Sequence, residues 1–98
     1  MNYLKEYNIT QKEIEELENG FNENIIKFLK ENKIFINGKL RILKKEKFII
    51  YPILKNNIKI FLEIDSVLEK KIENMKKKGF NNKQMQMILM DEKLYSKF

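Results

Sequence analysis

The chain has no cysteine, no histidine and no tryptophan, a single proline and three glycines. Without cysteine there are no disulfides and no thiolate metal sites. Without histidine as well, the commonest general bases, nucleophiles and transition-metal ligands are missing. Three scattered glycines make no phosphate-cradling loop. Glu13, Glu15, Glu16 and Glu18 follow helix spacing and read as a solvated face, and no carboxylate cluster has metal-site spacing. No apolar run is long enough to span a membrane. The stretch MNYLKEYNIT lacks the basic and then apolar segments of a signal peptide. The expectation is a cytoplasmic protein that is not an enzyme, with no cofactor, no metal and no membrane partner.

What is present is lysine, isoleucine and asparagine in abundance, and a net charge of +6 over 98 residues. That length suits a single domain, 1–98, with a modest core. The charge is uneven: −3 over residues 1–32, +6 over 33–64 and +3 over 65–98. A basic excess points to nucleic acid or another polyanion. The plainer alternative is that lysine is the default solvated residue in this composition.

The densest apolar residues lie in KIFINGKLRILKKEKFIIYPILKNNIKIFLEID, residues 33–65. Asn37-Gly38 between two apolar runs is a strong hairpin signal. Lys55-Asn56-Asn57 offers a second turn, and Pro52 would mark an edge strand or a bulge. The expected fold class is therefore α+β, in the order α-α-β-β-β-β-α-α. A central antiparallel sheet of three or four strands over 33–65 sits between a helical pair in 1–32 and another in 66–98. Thr10 to Glu13 and Ser66 to Glu69 read as capping boxes. Asn19-Gly20 and Gly79 read as helix stops, and Asn22 or Asn24 and Asn81 or Asn82 as caps. The last helix is expected to run to about Tyr95. No internal repeat shows.

Alternation across the expected sheet puts Phe35, Tyr51 and Phe61 among Lys39, Arg41 and Lys59 on its mixed face. Single-strand binders stack bases on such aromatics while cations hold the backbone. The alternative is that helices cover this face and the cations reach water at its rim. Lys76, Lys77 and Lys78 close the penultimate helix, where cations suit its dipole, and they extend the candidate nucleic-acid site. Met85, Met87, Met90 and Leu94 make the last helix apolar on most of its circumference. Part of that surface is expected to meet a partner or a second copy of the chain.

Three stretches resemble known patterns. ITQKEIEELENGFNENIIKFLKENKIFI resembles a helix-turn-helix, with the following hairpin as a wing; the alternative is two ordinary packed helices. KKKGFNNKQMQMIL looks like a unit of an all-helical superhelix, such as the mitochondrial-terminator type of repeat. GKLRILKKEKFIIYPILKNNIKIFLEI is similar in pattern to the sheet of RelE/ParE toxins. That resemblance implies ribonuclease activity on ribosome-bound mRNA, with Arg41, Lys47 and Tyr51 standing in by position.

The function expected from these readings is a small non-catalytic regulatory binding protein, of phage or mobile-element type, acting on nucleic acid through the basic sheet face. One alternative is a protein-binding inhibitor of a nucleic-acid-handling host defence complex, acting as anti-CRISPR proteins do. The other is the RelE/ParE-like toxin.

Overall fold

The computed structural model describes residues 1–98, and every regular element in it is a helix. A 3₁₀ turn, Asn2–Tyr7, leads into α1 (Gln11–Gly20) and α2 (Glu23–Glu31). Then come α3 (Lys33–Lys45), α4 (Ile50–Asn56), α5 (Lys59–Leu62), α6 (Asp65–Lys77), α7 (Asn82–Leu89) and α8 (Glu92–Ser96). No helix is long and apolar enough to cross a membrane. There is no sheet, so the expected α+β architecture is corrected to an all-helical one. The basic sheet face, the wing hairpin and the likeness to the RelE/ParE sheet fall with it.

Helical periodicity explains the correction. In α3 the buried positions are Ile36, Lys39, Leu40 and Leu43, spaced three and four apart on one stripe. Strand alternation would put Ile34, Ile36 and Ile42 together on one core face; Ile34 is 85 % exposed and Ile42 only half-buried. In α4 the buried residues are Ile50, Ile53 and Leu54, while Ile49 before it is 68 % exposed. Pro52 sits in the first turn of α4, where its missing N–H has no intrahelical partner to lose. Isoleucine disfavours a helix by only a few tenths of a kcal/mol. Burial of each such side chain returns about 2 kcal/mol, so packing decides.

The Asn37-Gly38 signal fails for a different reason. Gly38 lies inside α3, and a Cβ there would collide with the Asp65 carboxylate from the first turn of α6. Glycine is present because another element comes close, not because the chain turns. That carboxylate pairs with Lys39, whose side chain is fully buried, at 3.1 Å from Nζ to Oδ1. The Lys39 ammonium also rests on the Phe35 ring, 3.2 Å from its centroid. Asp65 thus has work inside the fold, and the Ser66 capping box does not form: Ile64 holds the N-cap position with no side-chain bond.

Other punctuation stands where the residues place it. Thr10 and Glu13 make the capping box of α1, and the Asn22 and Asn81 side chains cap α2 and α7. Gly79 is left-handed (φ +86°) after α6. Asn19 and Gly20 are the last residues of α1 itself, which stops at Phe21 with extended backbone. The last expected helix is two, because the Asp91 side chain caps α8.

The helices α3-α4-α5 and α6-α7-α8 are two copies of one unit. Lys33 and Asp65 open the long helices, 32 positions apart, and Lys45 and Lys77 close them with the same offset. Each long helix ends in a residue with φ > 0, Lys47 (+63°) or Gly79 (+86°), followed by Phe48 or Phe80. Phe48 N–H donates to the Leu43 carbonyl and Phe80 N–H to that of Met75, which is the Schellman closure in both. Ile36, Leu40, Leu43 and Ile53 are matched by Leu68, Ile72, Met75 and Met85, all of them buried. Identity is confined to Lys39/Lys71, Lys44/Lys76, Lys45/Lys77, Phe48/Phe80 and Leu62/Leu94, too sparse to show as a repeat in the sequence. The two long helices run parallel: Lys39 of α3 meets Asp65 at the start of α6, and Glu46 after α3 meets Lys76 near its end.

The Lys39–Asp65 pair gives the first prediction. Asp65→Ala leaves a buried ammonium unpaired and destabilises the protein by about 2–3 kcal/mol, the low end for buried pairs because Asp65 is partly exposed. Lys39→Met in that background restores most of the loss. Gly38→Ala destabilises the native chain by displacing Asp65. It stabilises the Lys39→Met/Asp65→Ala chain by up to ~1 kcal/mol, the ordinary helix preference. Urea unfolding of the five proteins checks all four signs.

Candidate nucleic-acid interface

Two parallel helices that end side by side bring their last turns together. The last turn and closure of α3 supply Lys44, Lys45 and Lys47, and those of α6 supply Lys76, Lys77 and Lys78. Cations suit these positions because the unsatisfied carbonyls of a helix C-terminus carry partial negative charge. Glu46 ties the two ends: its Oε1 lies 2.6 Å from Lys76 Nζ, and its carbonyl accepts a 2.9 Å bond from Asn82 Nδ2. Gln86 fastens α7 to the same corner, exchanging two 2.9 Å bonds with the backbone N–H and carbonyl of Ile49. The first turn of α7 then adds Lys83.

Beyond α6 a shallow concavity of about 370 Å³ is lined by Asn74, Lys77, Lys78, Lys97 and Phe98. Phe98 meets Phe80 edge to face, with centroids 5.8 Å apart, and Lys78 Nζ lies 5.2 Å from its centroid. One end of the molecule therefore carries Lys44, Lys45, Lys47, Lys76, Lys77, Lys78, Lys83 and Lys97, all exposed. The carboxylates among them are Glu46, Glu73 paired with Lys77 at 3.1 Å, and Glu69, which lines the cleft between α3 and α6 with Lys45 and Lys76. No group of carboxylates converges as metal ligands would.

The residues expected to bind nucleic acid part company here. Lys76, Lys77 and Lys78 lie in this basic pole, and Arg41 is exposed on α3 one turn before Lys45. Lys59 is exposed at the start of α5. Lys39 is buried against Asp65, and Phe61 is fully buried, so neither is open to a ligand. Tyr51 donates a 2.6 Å hydrogen bond to Glu16 of α1, and Lys55 Nζ stands 5.9 Å from its ring centroid. Lys44, Lys45, Lys83 and Lys97 went unnoticed as site residues, and Lys47 entered only through the RelE/ParE likeness. The Leu-Lys-Lys-Glu-Lys-Phe and Met-Lys-Lys-Lys-Gly-Phe stretches that end α3 and α6 were the signal that could have shown most of them.

Of the residues expected to bind a partner, Met85 is buried and Met90 half-buried against the core. Met87 is 63 % and Leu94 40 % exposed. Comparison with known protein families, with curated proteins and with solved structures finds no match for this chain.

The Tyr51 hydroxyl is pushed up to about 12, first by its hydrogen bond to Glu16 and then by desolvation and by the Glu16 and Glu13 charges. Burial alone pushes Tyr3, whose hydroxyl donates to the Leu29 carbonyl at 2.6 Å, to about 12. Burial and the Glu63 carboxylate raise Tyr95 further. A phenol with a raised folded value stabilises the fold fully below its unfolded value, and that contribution is lost as pH climbs toward the folded one. Stability is therefore expected to fall between pH 10 and 12. In an ultraviolet titration Glu16→Gln shifts one phenol back toward its ordinary value and leaves the two late ones unmoved.

Proposed function

We infer that this chain is a small non-catalytic regulatory protein that holds nucleic acid by its phosphates at the basic pole formed where α3 and α6 end. The observation that carries this reading is the convergence of eight exposed lysines around three carboxylates. Lysine is a compact point charge suited to phosphate oxygens, and it lacks the fork with which arginine reads base edges. Binding through such a surface is independent of sequence and driven by counterion release. Lys44, Lys45, Lys47, Lys78, Lys83 and Lys97 have no carboxylate within ion-pair distance.

A second reading rests on the exposed apolar side chains of Met87 on α7 and Leu94 on α8. Methionine adapts its shape at recognition surfaces. A protein that blocks a nucleic-acid-handling complex would use this surface for the complex itself.

Titration against single- and double-stranded DNA and RNA at several salt concentrations tests the first reading. Six unpaired lysines, with Lys77 released from its exposed pair, set a slope of log K against log salt no steeper than about −6 on duplex DNA. Absence of binding at low salt rejects it. For the second, Met87→Asp changes stability by less than ~0.5 kcal/mol, as exposed substitutions do, yet removes a protein complex recovered by pull-down. Met85→Asp, at a buried position, unfolds the domain instead.

A further inference from the structure

The basic pole is built twice over. Lys44 and Lys45 close α3, and Lys76 and Lys77 stand at the same two positions of the second unit, 32 residues on. The long helices are parallel, and both end in the same closure, so the two lysine pairs leave their helices in the same direction. Helices in contact lie about 8–10 Å apart. That spacing is close to three base pairs of rise along one strand.

The units differ in charge immediately after these lysines. Glu46 stands where the second unit has Lys78, and it holds Lys76 at 2.6 Å. Glu46 is half-buried, and its position is fixed by the Asn82 bond to its carbonyl. Lys77 is paired too, but with Glu73 in an exposed contact one helical turn away, of a kind worth about 0.3–0.5 kcal/mol and readily opened. Lys44 lies 5.7 Å from the Tyr7 ring centroid, and Lys45 has no carboxylate within ion-pair distance. The second pair is thus the restrained one, and Glu46 is the restraint.

We propose that the pole is a two-register site for a phosphodiester backbone, in which Lys44–Lys45 and Lys76–Lys77 grip successive stretches of one strand and Glu46 holds the second grip partly closed. This rests on the nucleic-acid reading above and names the part of the polymer recognised. Backbone phosphate is common to duplex and single strand, and the two differ in the salt slope that each contact contributes.

The test is fluorescence anisotropy with a short random-sequence duplex and its single strand, each titrated over a range of salt. The variants are Lys44→Ala/Lys45→Ala, Lys76→Ala/Lys77→Ala and Glu46→Gln. Lys12→Ala/Lys27→Ala is the control: it removes the same charge from the acidic N-terminal third. Lys44→Ala/Lys45→Ala lowers the slope by about 1.8 on duplex or about 1.4 on single strand, and Lys76→Ala/Lys77→Ala by about half as much, because Glu46 already holds Lys76. The control leaves the slope unchanged. Glu46→Gln frees Lys76, steepens the slope by about 0.9 on duplex and tightens binding at low salt. A gain of this kind does not come from damage to the fold.

A slope that responds to one pair only, an equal response from the control, or an unmoved slope in Glu46→Gln overturns the two-register site while the nucleic-acid reading stands. A native chain that binds neither polymer at low salt overturns both.

Discussion

A lysine ammonium buried in a helical core must have a counter-charge, and much of this architecture depends on how Lys39 obtains one. Leaving it unpaired would cost several kcal/mol, a large part of what a chain of this size has in reserve. Asp65 supplies the charge from the first residue of α6, reaching over the one position of α3 that has no side chain. The contact fixes three things together. It sets how closely α3 and α6 approach, it places the start of α6 beside the middle of α3, and with the Glu46–Lys76 contact at the other end it makes the two helices parallel. Phe35 covers the other side of the ammonium and closes the pocket. The second unit puts Lys71 at the corresponding position, 4.0 Å from the centroid of the Tyr95 ring and 3.3 Å from its carbonyl oxygen. In both units the lysine stem serves as packing and its head as a tie to a later element.

The basic pole follows from that parallel arrangement. Had α6 run antiparallel to α3, their lysine-rich ends would lie about 20 Å apart, the length of a 13-residue helix. Side by side, they pool charge that neither helix holds alone. Glu46 and Asn82 then join the two closures, so the pole is held by the same kind of inter-unit contact that fixes its partner end. The acidic residues of α1 and α2 remain in the N-terminal third, so the molecule is electrically lopsided.

What the residues alone made legible was punctuation. The Thr10 capping box, the Asn22 and Asn81 caps and the left-handed Gly79 are local chemistry, satisfied within a few residues, and they stand as the residues place them. The content of 33–65 was not legible, since Ile and Lys in near-alternation fit a strand and a helix about equally well. Asn37-Gly38 tipped that balance toward a hairpin. The reason glycine stands at 38 lies 27 residues away in Asp65, and no local pattern carries it. Among the stretches that resembled known patterns, KKKGFNNKQMQMIL was the one read as helix, cap and helix, and that order is present in α6 and α7. The candidate site was legible in part: Lys76, Lys77 and Lys78 were marked, while their counterparts Lys44 and Lys45 fell within the expected sheet region and were not.

The same reasoning explains why aromatic side chains were a poor guide to this surface. On a sheet, Phe35, Tyr51 and Phe61 would have shared a face with the cations. On helices each is engaged within the fold: Phe61 in the core, Tyr51 on Glu16, and Phe35 beneath Lys39 and edge-on to Phe28 at 6.0 Å. The aromatics that do border the pole, Phe80 and Phe98, pack against one another. A surface with lysines to spare and little aromatic area open to a base has charge as its main means of attraction. What distinguishes it from an ordinary charged surface is the spacing of its charges, and the fold sets that spacing by repeating one helical unit.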